Sequence, residues 1–366
     1  MCYNVSKELK ERNIESIFIS PGEDATKSLT KNNIDFKTLQ QYKETIQNIL
    51  EIEKPNIVIT PHNLNPIGYL FVKNARKKYI PTLLLHEGGS EVSKYLRKKK
   101  PIRKKNVLRD IESKIPLTGM DKFELLLMKI TKILRGKQFV AHNGSDYVAA
   151  MSPFAKQFLE ELGIKANIVV TGQPRFDDII KKEFNKPAIM KRLNLETRKK
   201  IVLILTSIFV VDGIWKSEKL ESFISTLVNN LEKIEEVEPI LKIHPRESVE
   251  YYKKIIGDRI KIFQDEDLYE IISVSDLIIS LPSTTTVEAL LFKKKILIPD
   301  FLTRKPYSEA FKTVLGCKSH EEIIENVKKN LRKDIKREEA NLSYYIYKDD
   351  GKSSGRVAKL IERICK

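Results

Sequence analysis

Short β-branched and aliphatic runs alternate with amphipathic helical stretches along almost the whole chain, and this alternation constrains the fold more than any other feature. Such a pattern is satisfied by parallel strands joined through helices that cover both faces of a sheet. The chain is α/β on this reading. Strands are expected at residues 16–19, 57–60, 82–85, 147–151 and 168–171 in the first half. The second half repeats the pattern at 201–205, 239–243, 260–263, 277–279 and 295–298. Helices are expected between them, at 3–12, 44–53, 66–78, 153–162, 216–234 and 249–256, with another opening near Thr285 and a last one at 356–365. Two sheets of this size imply two Rossmann-like domains, residues 1–180 and 181–345, with the polar stretch 181–200 as linker and 346–366 as a closing helical segment. The chain opens on a helix with no strand before it, so either the start is misplaced or the first sheet lacks its usual leading strand.

Composition narrows the class. No apolar run approaches the ~20 residues of a membrane-spanning helix. The N-terminus lacks the apolar centre of a secretory signal. Cys2, Cys317 and Cys365 form no CxxC pair, so neither a disulfide framework nor a zinc site is expected. A cytoplasmic location follows. Lys and Arg number 66 against 49 Asp and Glu, a net charge of +17. Such a chain suits nucleic acid, an anionic membrane or phosphorylated small molecules. Part of the excess is concentrated in residues 94–105 (Lys94, Arg97, Lys98, Lys99, Lys100, Arg103, Lys104, Lys105). The stretch 123–134 follows, rich in Leu and Ile, within a basic excursion spanning about 90–136. This pairing suggests a peripheral patch for the anionic inner face of a membrane. Nucleic acid is disfavoured because only Tyr95 supplies an aromatic nearby. No GxGxxG or Walker motif occurs.

The residues that suggest chemistry lie just beyond strands, where open α/β sheets bind ligands. Ser275-Asp-Leu-Ile-Ile-Ser-Leu-Pro-Ser-Thr-Thr-Thr-Val-Glu-Ala289 runs from an apolar strand through a hydroxyl-rich turn into a helix. The first amides of a helix are unpaired and favour an anion, and Ser280, Ser283, Thr284 and Thr285 add small donors. One hydroxyl would suffice as an N-cap, so the surplus points to a bound phosphate. Glu288 is either a helix-dipole partner or a carboxylate for sugar hydroxyls. His244, in Lys242-Ile-His-Pro245, is placed to donate to phosphate, with Arg246 beside it. Thr206 and Ser207 follow the strand at 201–205. In the first half, His86 and Glu87 precede Gly88 and Gly89, and Glu87 is a candidate general base. Gly172, Gln173 and Arg175 lie in Val170-Thr-Gly-Gln-Pro-Arg-Phe-Asp177. His62 and Asn63 point toward the same edge, whereas His142 and His320 read as structural or surface residues.

These stretches, with Asp350-Gly-Lys-Ser-Ser-Gly-Arg356, resemble the GT-B glycosyltransferase superfamily. The likeness is to the branch of CDP-glycerol glycerophosphotransferases, capsule-polymer transferases and UDP-N-acetylglucosamine 2-epimerases. It covers most of the chain and is firmest from about residue 145 onward. The resemblance implies two Rossmann-like domains facing across a cleft, an N-terminal acceptor domain, a C-terminal nucleotide-donor domain and a last helix that crosses back. It places His244, Ser283 and Thr284 on the donor phosphates and Glu288 on the ribose. The implied activity is transfer of a sugar, or a related phospho-group, from a nucleotide donor to a surface polysaccharide or glycolipid. UDP or CDP is the implied nucleotide, with no metal and no organic cofactor. The alternatives are a UDP-N-acetylglucosamine 2-epimerase and a degenerate, non-catalytic nucleotide-binding member. Departures exist: the epimerases carry Gly-Gly and paired acids where this chain has Thr284-Thr285 and Val287-Glu288. The glycerophosphotransferases show Asp-Tyr-Ser-Ser where it has Ser280-Leu-Pro-Ser283.

Overall fold

The computed structural model describes residues 1–42, 45–61, 66–87, 143–311, 313–332 and 342–366. His62, Asn63, Gly88, Gly89, His142, the basic run 94–105 and the stretch 123–134 lie outside the described residues. The chain divides into two compact units, cut between Ile180 and Lys181 and again between Tyr345 and Ile346, with the C-terminal segment belonging to the first.

The first unit runs α1 (Cys2–Lys10), β1 (Ile19–Ser20), α2 (Glu23–Lys31), β2 (Lys37–Thr38), α3 (Ile46–Glu53), β3 (Val58–Thr60), α4 (Pro66–Lys77), β4 (Thr82–Leu85), β5 (Tyr147–Ala150), α5 (Pro153–Glu161), β6 (Asn167–Val170) and α6 (Phe176–Lys181). The order β3-β4-β5-β6 forms a parallel sheet. Every residue of β4 is buried, as an inner parallel strand covered on both faces requires. α5 starts where Ser152 caps: its hydroxyl accepts from the Ala155 amide at 3.1 Å, with Pro153 in the first turn. The strand expected at 16–19 shrinks to Ile19–Ser20 and pairs only with β2, outside the four-stranded sheet. Ile17 is 42% exposed, and Ile19 packs against the cluster of Leu39, Tyr42 and Ile46.

The second unit continues with α7 (Lys186–Arg192), β7 (Lys200–Leu205), α8 (Ser217–Leu231), β8 (Val237–Lys242), α9 (Val249–Ile256), β9 (Lys261–Phe263), α10 (Leu268–Val274), β10 (Leu277–Ser280), α11 (Thr284–Leu291), β11 (Lys295–Pro299), β12 (Leu315–Cys317) and α12 (His320–Arg332). Its six strands are parallel in the order β12-β11-β10-β7-β8-β9. Three strands therefore run outward from β7 in one direction and three from β10 in the other, and the winding reverses between β7 and β10. That reversal is the topological switch point, where doubly wound sheets bind ligands. The core joins Val202 and Ile204 of β7 to Leu220, Phe223 and Leu227 of α8 and to Tyr252 of α9, all buried. Each large apolar side chain so covered contributes about 1.5–3 kcal/mol. The expected linker 181–200 contains α7, because Asn185 accepts from the Ala188 amide at 3.1 Å and Pro187 presets the first turn.

The chain returns to the first unit in the helix Ser353–Cys365. Val357, Ala358, Leu360 and Ile361 pack with Val5 and Leu9 of α1 and with Leu83 and Leu85 of β4.

Candidate functional site

Register fixes which turns are neighbours in the second unit. Ser280, the last residue of β10, pairs with Leu205 of β7, and Leu205 pairs with Lys242 of β8. The three strands thus end level, with β7 in the middle. The turns that follow are Leu281–Ser283, Thr206–Ser207 and Ile243–His244. They leave one edge of one sheet, the outer two separated by two strand spacings, about 10 Å. Backbone bonds tie the exits together: the Leu281 amide donates to Leu205 O at 3.1 Å and the Thr206 amide to Lys242 O at 3.2 Å.

His244 is half-buried at this edge. The Arg246 amide donates to its Nδ1 at 3.1 Å, so the ring proton of the neutral imidazole sits on Nε2. Burial lowers the imidazole pKa from its usual value. The Glu247 carboxylate opposes that shift, Arg246 adds to it, Asp212 opposes it and Lys242 adds to it. His244 is therefore a neutral Nε2–H donor at neutral pH. The turn is held from both sides. Glu247 accepts from the His244 amide at 2.9 Å, from the Tyr252 hydroxyl at 2.7 Å and from the Thr206 hydroxyl. Gln264, beyond β9, donates to Pro245 O at 3.2 Å and to Glu247 O at 2.6 Å. Lys242 is buried behind the turn and donates to Gln264 O and Ile243 O. Arg246 is exposed and ion-paired with Asp212 at 3.1 Å.

The hydroxyl turn divides into builders and donors. Ser280 is fully buried; it donates to Leu281 O at 3.0 Å and bonds the Thr286 hydroxyl at 3.0 Å. Both side chains build the turn. Glu288 is likewise buried. Ser283 occupies the N-cap of α11, yet its side chain makes no capping bond, and its buried Oγ has no hydrogen-bond partner. The unpaired amides of the first turn begin at Thr284 and Thr285, both half-buried. From below, the Tyr307 hydroxyl donates to Ser283 O at 3.1 Å. The edge therefore offers Ser283 Oγ–H, two backbone amides and His244 Nε2–H, all neutral donors suited to an oxyanion. Thr206 differs. Its one hydroxyl proton is spent on Glu247, so it presents only lone pairs and suits a donor group of a ligand. Ser207 is buried beside it.

The candidate residues of the first unit end its sheet in the same way. His86 follows β4 and is buried, and Glu87 beyond it is exposed. Gln173 is buried; it donates to His86 O at 3.5 Å, while its Oε1 has no hydrogen-bond partner. Arg175 is exposed, with its guanidinium 5.6 Å from the Phe176 ring centre. Much of the Val170–Asp177 stretch has another task, which is to hold the C-terminal helix. Asp177 accepts from the Ser353 and Ser354 amides at 2.9 and 2.7 Å. Arg356 donates to Thr171 O at 2.6 Å and grips both oxygens of Asp350 at 3.0 and 2.8 Å. Gly172 has φ +84°, and a Cβ there would lie 2.4 Å from Ser353 Oγ. The last helix begins at Ser353, three residues before the expected 356, because Asp177 supplies its cap from a distant segment.

Gln264, Tyr252 and Tyr307, which support the edge with Glu247, do not stand out in the sequence. The spacing of Glu247 three residues after His244 is the one available signal, since a carboxylate there reaches back to the turn's first amide. Among the described residues, no group of three His, Cys, Asp or Glu converges to hold a metal ion. No helix among them is long and apolar enough to cross a membrane.

Comparison with solved structures supports the fold. The UDP-GlcNAc 2-epimerase from Methanocaldococcus jannaschii is similar at a TM-score of 0.62 and 18% identity, covering 99% of this chain and 95% of that one. S. aureus MnaA, solved with UDP, gives 0.61 and 16%, covering 98% and 91%. A glycosyltransferase from Rickettsia africae gives 0.57 and 17%, covering 99% and 92%. At these identities the likeness is one of fold, the two-domain GT-B arrangement of Rossmann-like units. No curated protein sequence matches the chain significantly. The family profile described as CDP-Glycerol:Poly(glycerophosphate) glycerophosphotransferase matches residues 118–363, about two thirds of the chain. The chain belongs to that glycerophosphotransferase family, whose enzymes transfer nucleotide-activated groups in polymer synthesis.

Proposed function

We propose that this protein is a metal-independent transferase of GT-B type. It moves a glycerophosphate or sugar group from a CDP- or UDP-linked donor to a growing surface polymer, with the second unit holding the donor. The observation that carries this reading is the alignment of three strand exits at the switch point of the second sheet. It brings the Ser283–Thr285 turn and His244 to one edge as a set of neutral donors. These donors face the donor's phosphates and stabilise the charge that develops on the departing nucleotide, which is electrostatic catalysis by preorganised groups. Glu288 is assigned to the ribose and Arg246 to the outer phosphate. In the first unit Glu87 is the proposed base toward an acceptor hydroxyl, with His86, Gly88, Gln173 and Arg175 on the acceptor. No organic cofactor is required for this chemistry. The basic run 94–105 is the proposed contact with the anionic inner face of a membrane.

The test is His244→Ala, assayed for transfer from CDP-glycerol or a UDP-sugar to a polymer primer. Turnover should fall by roughly 100-fold, the cost of losing one such donor, while the unfolding midpoint stays near wild type because the ring is only half-buried. Wild-type turnover in this variant would refute the role. Incubation with UDP-N-acetylglucosamine and no primer separates transferase from epimerase, because only an isomerase yields the 2-epimer without an acceptor.

A further inference from the structure

The chemistry proposed for the edge needs His244 to keep one ring orientation and one tautomer. The side chain itself does not fix either. The geometry points to Glu247 as the positioning residue that does so, acting on a ligand only through His244. This inference rests on the assignment of His244 to the donor phosphates.

Glu247 closes the turn twice. Its amide donates to His244 O at 2.9 Å, and its carboxylate accepts from the His244 amide at 2.9 Å. With the chain folded back in this way, the Arg246 amide falls 3.1 Å from His244 Nδ1. The acceptor role of Nδ1, and hence the Nε2–H tautomer, follows from a turn that Glu247 shapes. The same carboxylate reaches Thr206 at the end of β7 and Tyr252 in α9, so it joins two strand exits to the helix behind them. Burial, with the Glu247 carboxylate beside it, pushes the Tyr252 hydroxyl far above its ordinary range, so Tyr252 remains a proton donor to Glu247. The carboxylate accepts from one amide and two hydroxyls of the protein, which is the bonding of a brace. The charged groups that act on His244 are Glu247, Arg246, Asp212 and Lys242, and of these Glu247 is the strongest.

Two variants separate shape from charge. Glu247→Gln keeps the reach and the acceptor oxygen for His244 and Thr206, while the Tyr252 oxygen can accept from the new amide. Glu247→Ala removes the brace. The measurement is the imidazole NMR titration of His244 in the full, ligand-free chain, assigned with His244→Gln, alongside transfer kinetics across pH. In Glu247→Gln the Nε2–H tautomer should persist and the His244 pKa should fall, because a neighbouring negative charge has gone. A neutral His244 is lost as pH falls through its pKa, so the acid limb of kcat/KM should move to lower pH. In Glu247→Ala the single tautomer should be lost and kcat should drop about 100-fold, the scale of a misplaced catalytic group, with the donor KM less affected. Adding Glu247→Ala to His244→Ala should cost little more than His244→Ala alone, since one residue acts through the other.

An unchanged tautomer and pKa in Glu247→Ala would overturn the inference, and so would additive losses in the double variant. If Glu247→Ala fails to fold, Glu247→Gln decides: a His244 pKa that does not fall overturns it. If the titration behaves as expected but His244→Ala transfers at the wild-type rate, then the positioning stands and the phosphate role of His244 fails.

Discussion

Replacing Asp177 should release the start of the last helix, and the size of the effect can be worked from the contacts. The carboxylate is 3% exposed and accepts from the amides of Ser353 and Ser354 at 2.9 and 2.7 Å. These are the first two residues of a helix whose own N-cap, Lys352, makes no side-chain bond. Asp177→Ala leaves two amides without an acceptor in a water-poor place, at about 1–3 kcal/mol each. Loss of a negative charge at a helix N-terminus adds about 0.3–1 kcal/mol. Relief of the carboxylate's own desolvation offsets part of the total, so a net cost of about 3 kcal/mol is expected. At 1.4 kcal/mol per tenfold, that makes local opening roughly 100-fold more frequent. Asp177→Asn keeps one acceptor oxygen and should cost about half as much. Amide hydrogen exchange at Ser353, Ser354 and the following turn reads the opening directly and does not require the whole chain to unfold in one step. Exchange in Asp177→Ala within threefold of wild type would show that the cap carries no such energy, and the lock would have to be reassigned to the apolar face of the helix.

Two further substitutions test neighbouring arguments. Gly172→Ala sets a Cβ 2.4 Å from Ser353 Oγ at a φ of +84°; a loss of about 1–3 kcal/mol is expected from such a strained position, read as a lower urea midpoint for the first unit. Ser283→Ala removes an oxygen that bonds nothing. The ligand-free melting temperature should therefore hold, while the rise on adding CDP or UDP should shrink, because ligand stabilisation follows affinity. An unchanged rise with both nucleotides would remove Ser283 from the site.

The parts of the fold that could be read from sequence were those in which local pattern and burial agree. β7 is a near-continuous apolar run because both its faces are covered, and α9 begins and ends at residues 249 and 256, as its pattern indicates. β12 was invisible: Leu315–Cys317 contains a glycine and is held by its parallel register with β11. β1 and β2 each span two residues, too few for a period to show. α10 does not stand out in the sequence, although Asp267 caps it through the Tyr269 and Glu270 amides, because the helix is only seven residues long. At the candidate site, the turns could be named from their place beyond strands, whereas the division of labour within them could not. Ser280 and Ser283 look alike in sequence. Only their contacts show that one is a buried builder and the other holds an unpaired hydroxyl. The bond from Asp177 to Ser353 spans 176 residues, and no local pattern encodes it.

A carboxylate beside an anion-binding edge presents an electrostatic difficulty that the arrangement resolves. Glu247 sits under the turn where phosphate is proposed to bind, and an unscreened negative charge there would repel the ligand. Its oxygens, however, are taken up by an amide and two hydroxyls, and what faces outward is the far side of those groups. The hydroxyl turn is braced in the same manner. Asp300 accepts from the Tyr307 and Ser308 amides at 2.6 and 3.0 Å and from the Ser308 hydroxyl, and Tyr307 then donates to Ser283 O. Gly316 of β12 leaves room for this cluster, since a Cβ there would lie 2.1 Å from Asp300 Oδ2. Asp177 does comparable work for the last helix. In each case a buried or half-buried carboxylate is bound up in fixing backbone, and at the edge of the second sheet the groups it fixes are neutral donors. Neutral donors held rigidly need no reorientation as charge builds on a leaving group, whereas mobile cations would have to be gathered and desolvated at that moment. The acids of the second unit therefore serve the proposed chemistry by holding still the groups that perform it.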